Sequence, residues 1–382
     1  MKHNRKIIYL AGFLISVPIA LTSYINSSLL EIYVDKYFLG IIYMLASLIT
    51  IIGMAKMPKI LTRLGNRKST LLFCLIFLAS LILMGLGGKG FIVIPAFIFY
   101  FVSVNLIFAT LDIFIEDFSK NSPVGGIRGV YLTIINFAWV IAQMMSGSVI
   151  AKSSLPGIYL LSALFVSLVC IIFSLFLRDF KDPQYEKVPI LRTIIFFWRN
   201  RNIAKIYLIT LILRFFYAWM IIYTPIYMHE YIGFDWSQIG IIFSIMLLPF
   251  IILELPLGIL SDRIGEKKML IVGFCIISVS TAMIPLFSAP TLLLWALILF
   301  ATRVGAATIE IMSESYFFKS VAEEEADVLS FFRNTNPLSY IIAPLLAIPV
   351  LLIVPSFEYL FFVLGAVMLC GLLISLRLRD VR

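Results

Sequence analysis

A chain of 382 residues that is 62% hydrophobic and 13% charged, with a mean hydropathy of +1.05, falls outside the range of soluble domains, which are roughly 45–50% apolar and about 25% charged. Its apolar runs are long and do not alternate. That excludes a transmembrane β-barrel and leaves helices, because lipid offers no partner to an unsatisfied backbone group. A spanning helix needs about 20 apolar residues. In chain order the runs that approach or exceed this are 6–29, 37–57, 70–87, 91–114, 128–151, 156–177, 204–228, 236–257, 269–288, 291–313, 328–352 and 357–376. The first follows Lys2, Arg5 and Lys6 but is too long for a signal peptide and lacks a small-residue cleavage site, so it reads as a retained span.

Lys and Arg set the orientation. With the N-terminus inside, 24 of the 30 basic residues fall on inner segments. Only Lys36, Lys89 and Lys152 fall on outer loops, while Arg214, Arg303 and Arg333 lie within spans. Both termini are therefore expected to be cytoplasmic, and the short loops suggest a bacterial inner membrane. Insertion accounts for the net charge of +9, and no nucleic-acid partner is needed to explain it. The cysteines, Cys74, Cys170, Cys275 and Cys370, fall one each in spans 3, 6, 9 and 12, with neither metal-ligand spacing nor a disulfide framework. They read as small packing residues.

The only long polar stretch, 178–203, separates six spans from six. It predicts an N-terminal bundle over 1–177, a cytoplasmic linker over 178–203 and a C-terminal bundle over 204–382. Part of the linker, Pro189 to Trp198, has the pattern of an amphipathic helix lying on the membrane surface. The halves repeat. "LGIIYML" at 39–45 matches "IGIIFSI" at 239–245, and "RLGNRK" at 63–68 matches "RIGEKK" at 263–268, both at an offset of 200. Further on the offset is 198, aligning Asn105, Asp112, Glu116 and Asn136 with Arg303, Glu310, Glu314 and Asn334. Internal repeats of this kind mark secondary transporters, whose substrate site lies at the repeat interface.

"GILSDRIGEKK", 258–268, resembles the loop signature of the major facilitator superfamily, G-x-L-x-D-R-x-G-R-K/R-K/R. Gly258, Leu260, Asp262, Arg263, Gly265, Lys267 and Lys268 match it, and Glu266 departs from the usual basic residue. The twin "PKILTRLGNRK" keeps Arg63, Gly65, Arg67 and Lys68 but has Pro58 for the glycine and Thr62 for the acid. The resemblance extends through the twelve spans and their 6+6 symmetry. It implies an all-α membrane protein of twelve helices in two pseudo-symmetric six-helix bundles. It also implies that spans 3, 6, 9 and 12 face lipid while the others surround a cavity. In that family the loop arginines pair with acids at the inner ends of spans 4 and 10. Carried over by position, Arg263 would reach Glu314, Arg63 or Arg67 would reach Glu116, and Asp262 would lie near Arg128. Such pairs form a gate that opens and closes, a two-state element that a ligand can bias. Because Thr62 cannot replace an acid, the first-half latch is expected to be the weaker.

Intramembrane ionisable groups default to a functional reading. Arg214 and Arg303 lie near the middle of spans 7 and 10, and an arginine fork suits a carboxylate or phosphate. Either arginine could equally be paired inside the protein. Around them the expected cavity-lining residues are Asn105, Asn136, Trp139, Gln143, Asn26, Tyr24, Tyr217 and Asn336. Glu254, Asp112 and Glu310 are the candidate proton-coupling groups. No motif supports an enzyme or a cofactor: "HEYIG" at 229–233 has no second zinc histidine, and "GLGGKG" at 85–90 lacks phosphate-loop spacing. The expected function is gradient-driven movement of a small solute by a monomer in the bilayer, with protons as candidate coupling ions and an anionic metabolite favoured. A multidrug/proton antiporter is the alternative, although span 5, "NFAWVIAQMMSG", lacks the Gly-rich run usual there. A sensor or scaffold that kept the fold is the third reading.

Overall fold

The computed structural model describes residues 2–119, 124–177, 180, 182, 195, 197, 199–320 and 332–379. Among them there is no strand. The first half contains α1 (Lys2–Ser23), α2 (Asn26–Glu31), α3 (Lys36–Leu64), α4 (Asn66–Leu86), α5 (Gly90–Ser119) and α6 (Val124–Leu175). The second contains α7 (Arg201–Ile226), a π-helical turn (Tyr227–Tyr231), α8 (Trp236–Leu247), α9 (Pro249–Ile252), α10 (Glu254–Ile264), α11 (Glu266–Met283), α12 (Leu292–Ser320), α13 (Thr335–Ile353) and α14 (Tyr359–Leu376). Among the described residues eleven segments are long and apolar enough to cross a membrane. The chain is an all-helical integral membrane protein.

The eighth predicted span, 236–257, is helical in three pieces, α8, α9 and α10. Pro249 and Pro256 explain this, since proline brings no N–H to the ladder and its ring clashes with the preceding turn. The first predicted span is also broken. Ile25 (φ −110°, ψ −23°) separates α1 from α2, and the polar run Thr22–Ser27 at the break is buried. Three tyrosine hydroxyls hold it. Tyr100 bonds Thr22 Oγ1 at 2.7 Å, Tyr43 bonds Ser27 Oγ at 3.1 Å, and Tyr159 donates to Asn26 Oδ1 at 3.0 Å. The helical ladder of α6 runs on for 52 residues. At about 1.5 Å per residue a straight rod of that length would far exceed a bilayer of about 30 Å. It instead supplies two membrane segments, 133–150 and 155–175, with Pro156 at the start of the second.

The chain forms two compact units, residues 1–187 with 235–241, and residues 188–234 with 242–382. In the first unit α6 packs along α1 and α4, and α5 along α3 and α4. The piece 235–241 joins it through glycines: a Cβ on Gly240 would meet Gln143 O at 2.8 Å and Gly147 N at 3.0 Å. Small residues of this kind let membrane helices approach at backbone distance. In the second unit α11 packs between α12 and α14, and α7 against α13. Each unit presents apolar stripes outward. Leu164, Leu168, Ile171 and Leu175 are exposed along one face of α6, and Val272 and Val279 along α11. Exposed leucines in such number are a lipid-facing surface, not a solvated one.

Candidate functional site

The densest ionic cluster among the described residues lies in the second unit, where α7 meets α12. Arg214 and Tyr217 are one turn apart on α7 and so share a face. Arg214 Nη2 lies 2.9 Å from Glu310 Oε1. Tyr217 donates its hydroxyl to Glu310 Oε2 at 2.8 Å. Both carboxylate oxygens are thus engaged, by two donors from one neighbouring helix. Arg303, two turns before Glu310 on α12, is 1% exposed. Its guanidinium lies 5.1 Å from the ring centroid of Phe216 and 5.4 Å from that of Tyr217. Arg214 lies 5.6 Å from the same Tyr217 ring. These are cation–π distances, and such contacts strengthen where water is excluded. Tyr217 therefore connects the two cations as well as holding the acid.

Arg303 and Glu310 share a helix face but stand about 10.5 Å apart along the axis, at 1.5 Å per residue. The acid's partner comes from the adjacent helix instead. Tyr217 belongs to the expected cavity-lining set. Phe216 does not, because its position on α7 points to no partner without α12 beside it. Asn336 is half-buried on α13, its carbonyl accepting from Ser339 Oγ at 2.6 Å.

In the first unit the aligned positions carry different chemistry. Asn105, at the place of Arg303, donates to Phe101 O of its own helix at 2.8 Å. Asp112, at the place of Glu310, is half-buried. Gln143 is buried and donates to Ala20 O at 2.5 Å, tying α6 to α1. Asn26 and Tyr24 are buried at the α1–α2 break, while Asn136 and Trp139 are half-buried.

The two repeated loops are built alike in backbone and differently in charge. Gly65 (φ +76°) and Gly265 (φ +91°) stand at the same place, between paired helices. In the first, Arg67 donates from Nε to Phe173 O at 2.8 Å and from Nη2 to Ser174 O at 2.6 Å, capping the end of α6. Asp182 Oδ1 accepts the Asn66 N–H at 2.6 Å, so a carboxylate sits on the N-terminus of α4. Helix N-termini favour such anions. Phe180 packs edge-on against Phe114, with ring centroids 4.5 Å apart. In the second loop the acid at the helix start is Glu266 itself. Its Oε1 accepts from Lys319 Nζ at 2.6 Å and Ser315 Oγ at 3.0 Å. Glu266, which departs from the loop signature, is therefore the residue that joins α11 to the end of α12. Sequence reasoning missed both Asp182 and the Glu266–Lys319 pair.

Arg63, Lys68, Arg263 and Lys268 are exposed, and Lys267 and Glu314 are half-buried. A Cβ on Gly258 would meet nothing within 4 Å among the described residues. The side chains of Glu116, Arg128, Glu254 and Asp262, and most of the 178–203 linker, lie outside the described residues.

Residues 206–382 match the sequence model of the Major Facilitator Superfamily. No curated protein matches the chain in sequence. Among solved structures, a POT family transporter in complex with a thioalcohol-conjugated peptide superposes with a TM-score of 0.80 at 15% identity, covering 98% of this chain and 96% of that one. The nucleoside transporter NupG superposes with a TM-score of 0.77 at 12% identity, covering 98% and 98%. A structure described as informing substrate recognition in proton dependent oligopeptide transporters gives a TM-score of 0.73 at 10% identity, covering 99% and 98%. At these identities the likeness carries the fold.

Proposed function

We propose that the chain is a secondary transporter of the major facilitator type and that it moves a small carboxylate-bearing solute by alternating access, with Glu310 carrying a coupled proton. The observation that supports this reading is the Arg214–Glu310 pair held by Tyr217. An arginine fork recognises a carboxylate in two parallel bonds. Here the protein's own carboxylate occupies it. A proton on Glu310 removes the negative charge and weakens its hold, and Arg214 is then released to a solute carboxylate. Loss of that proton on the other side of the membrane restores the internal pair and expels the solute. Arg303, buried against the same tyrosine, keeps the site cationic throughout the exchange.

The peptides named for two of the structural neighbours carry a carboxylate, so short peptides and amino-acid derivatives are the solutes to try first. The Lys/Arg distribution favours both termini on the cytoplasmic side of a bacterial inner membrane.

The test is flux into proteoliposomes with an imposed pH gradient. Uptake of a carboxylate-bearing solute should rise with an inward proton gradient. Glu310→Gln should still exchange solute across the membrane but lose its response to the gradient. Arg214→Gln with Arg303→Gln should abolish uptake while the protein remains folded. Normal movement of an uncharged solute by that double variant, or outward movement of lipophilic cations at the wild-type rate, would overturn the carboxylate reading.

A further inference from the structure

The four cysteines take no part in the transport reading, and the structure separates them into two kinds. All four are free thiols; Cys74 and Cys170 are buried, and Cys275 and Cys370 are exposed. The buried two lie on α4 and on the second membrane segment of α6, which pack against each other. At one end of this pair Arg67 bonds the carbonyls of Phe173 and Ser174. At the other, a Cβ on Gly85 would meet Leu160 N at 3.1 Å. The helices are thus antiparallel and close along their whole shared length. From the Gly85–Leu160 approach, Cys74 is eleven residues away on one helix and Cys170 ten on the other. At about 1.5 Å per residue this sets the cysteines level to within about 2 Å. The two thiols are neighbours across the helix pair.

Access comes from the lipid side. Cys170 is 8% exposed and Cys74 0%. Leu168 and Ile171, which flank Cys170, are 48% and 52% exposed on the apolar stripe of α6. The nearest exposed surface is this apolar stripe, which favours a reagent dissolved in hydrocarbon over a water-soluble one.

We propose that Cys74 and Cys170 form a dithiol site, oxidised by a membrane-dissolved quinone to a disulfide that staples α4 to α6. Two S–H bonds break and one S–S bond forms. The two electrons and two protons pass to the quinone, which becomes the quinol. A disulfide needs a Cα separation of about 4.4–6.8 Å, which level cysteines on closely packed helices are placed to reach. Both lie within one compact unit, so the staple stiffens a bundle that moves as a body and leaves alternating access intact.

The test uses the full chain in proteoliposomes, with tetramethylbenzoquinone as the oxidant. It has no ring C–H at which a thiol can add and be replaced. After denaturation, a maleimide counts free thiols by mass. In the Cys275→Ser/Cys370→Ser protein, treatment should remove both remaining thiols, lower the intact mass by two hydrogens, raise Tm and leave uptake unchanged. A dithiol reductant should reverse each change. Cys74→Ser and Cys170→Ser, each made in that background, should keep their single thiol through the same treatment. The proposal fails if both thiols of the parent stay alkylatable, or if the product is a disulfide-linked dimer. It also fails if water-soluble and lipid-soluble oxidants act at equal rates.

Discussion

Arg214 is the residue on which structure and transport bear most directly, and the two roles give different expectations. A partly buried ion pair contributes little net stability, but removing one partner strands the other and costs about 3–5 kcal/mol. With the two side chains 27% and 25% exposed, the lower end applies to Arg214→Gln. Thermal unfolding in detergent should show that loss, and Arg214→Gln/Glu310→Gln should recover most of it, because no charge is then stranded. A double variant no more stable than the single one would mean that the pair is not the cause. Composition was enough to single out Arg214, Arg303 and Glu310, since charge in a greasy span has to be accounted for. It was not enough to pair them. Spacing along one helix identifies shared faces, whereas the pair crosses from α7 to α12, and that contact depends on how the two helices pack.

Elements were most legible where hydropathy alone decides, and least where a side chain from elsewhere ends or breaks them. The breaks before Pro249 and around Ile25 interrupt runs that remain apolar enough to read as one span. The loop signature showed that 58–68 and 258–268 are twins, but not that an acid missing at Thr62 has a counterpart at Asp182, 120 residues further on. Thr62 bonds back to Pro58 O at 2.7 Å and is exposed. Asp182→Asn should therefore loosen the start of α4 by about 1 kcal/mol, the usual worth of a helix N-cap. Faster hydrogen exchange confined to the amides of residues 66–69 would register it. Thr62→Ala should leave those amides alone. In the second loop Glu266→Gln should free Lys319 and reduce protection at the start of α11, with α4 unaffected.

At the scale of the whole molecule, the repeat was the most informative reading. Two offsets, 200 and 198, foretold that each half would carry its own helical core. What the repeat hides is divergence. Aligned positions hold Asn105 against Arg303 and Asn66 against Glu266, so the cation-rich cluster with Tyr217 belongs to one unit. The exposed stripes also follow from composition, because 62% hydrophobic residues exceed what two small cores can bury. If they face lipid, Leu168→Lys should be far from neutral: a lysine at mid-span costs about 2.5–3.5 kcal/mol on insertion. The yield of membrane-integrated protein, compared with Leu168→Phe, checks this. Equal yields would place the stripe against water or another surface.

Gly65 and Gly265 have a consequence for how far the two halves can diverge. Their torsions, φ +76° with ψ +161° and φ +91° with ψ +145°, lie in or beside a region that only glycine enters freely. Charge differs between the two hairpins: position 62 is Thr where 262 is Asp, position 66 is Asn where 266 is Glu, and the first hairpin takes its acid from residue 182. The torsion had no substitute, since any side chain would be strained there, and on Gly65 it would also collide with Asp182 Oδ2 at 2.5 Å. The twin glycines are thus the fixed point of the repeat, from which the divergence of everything else between the halves can be measured.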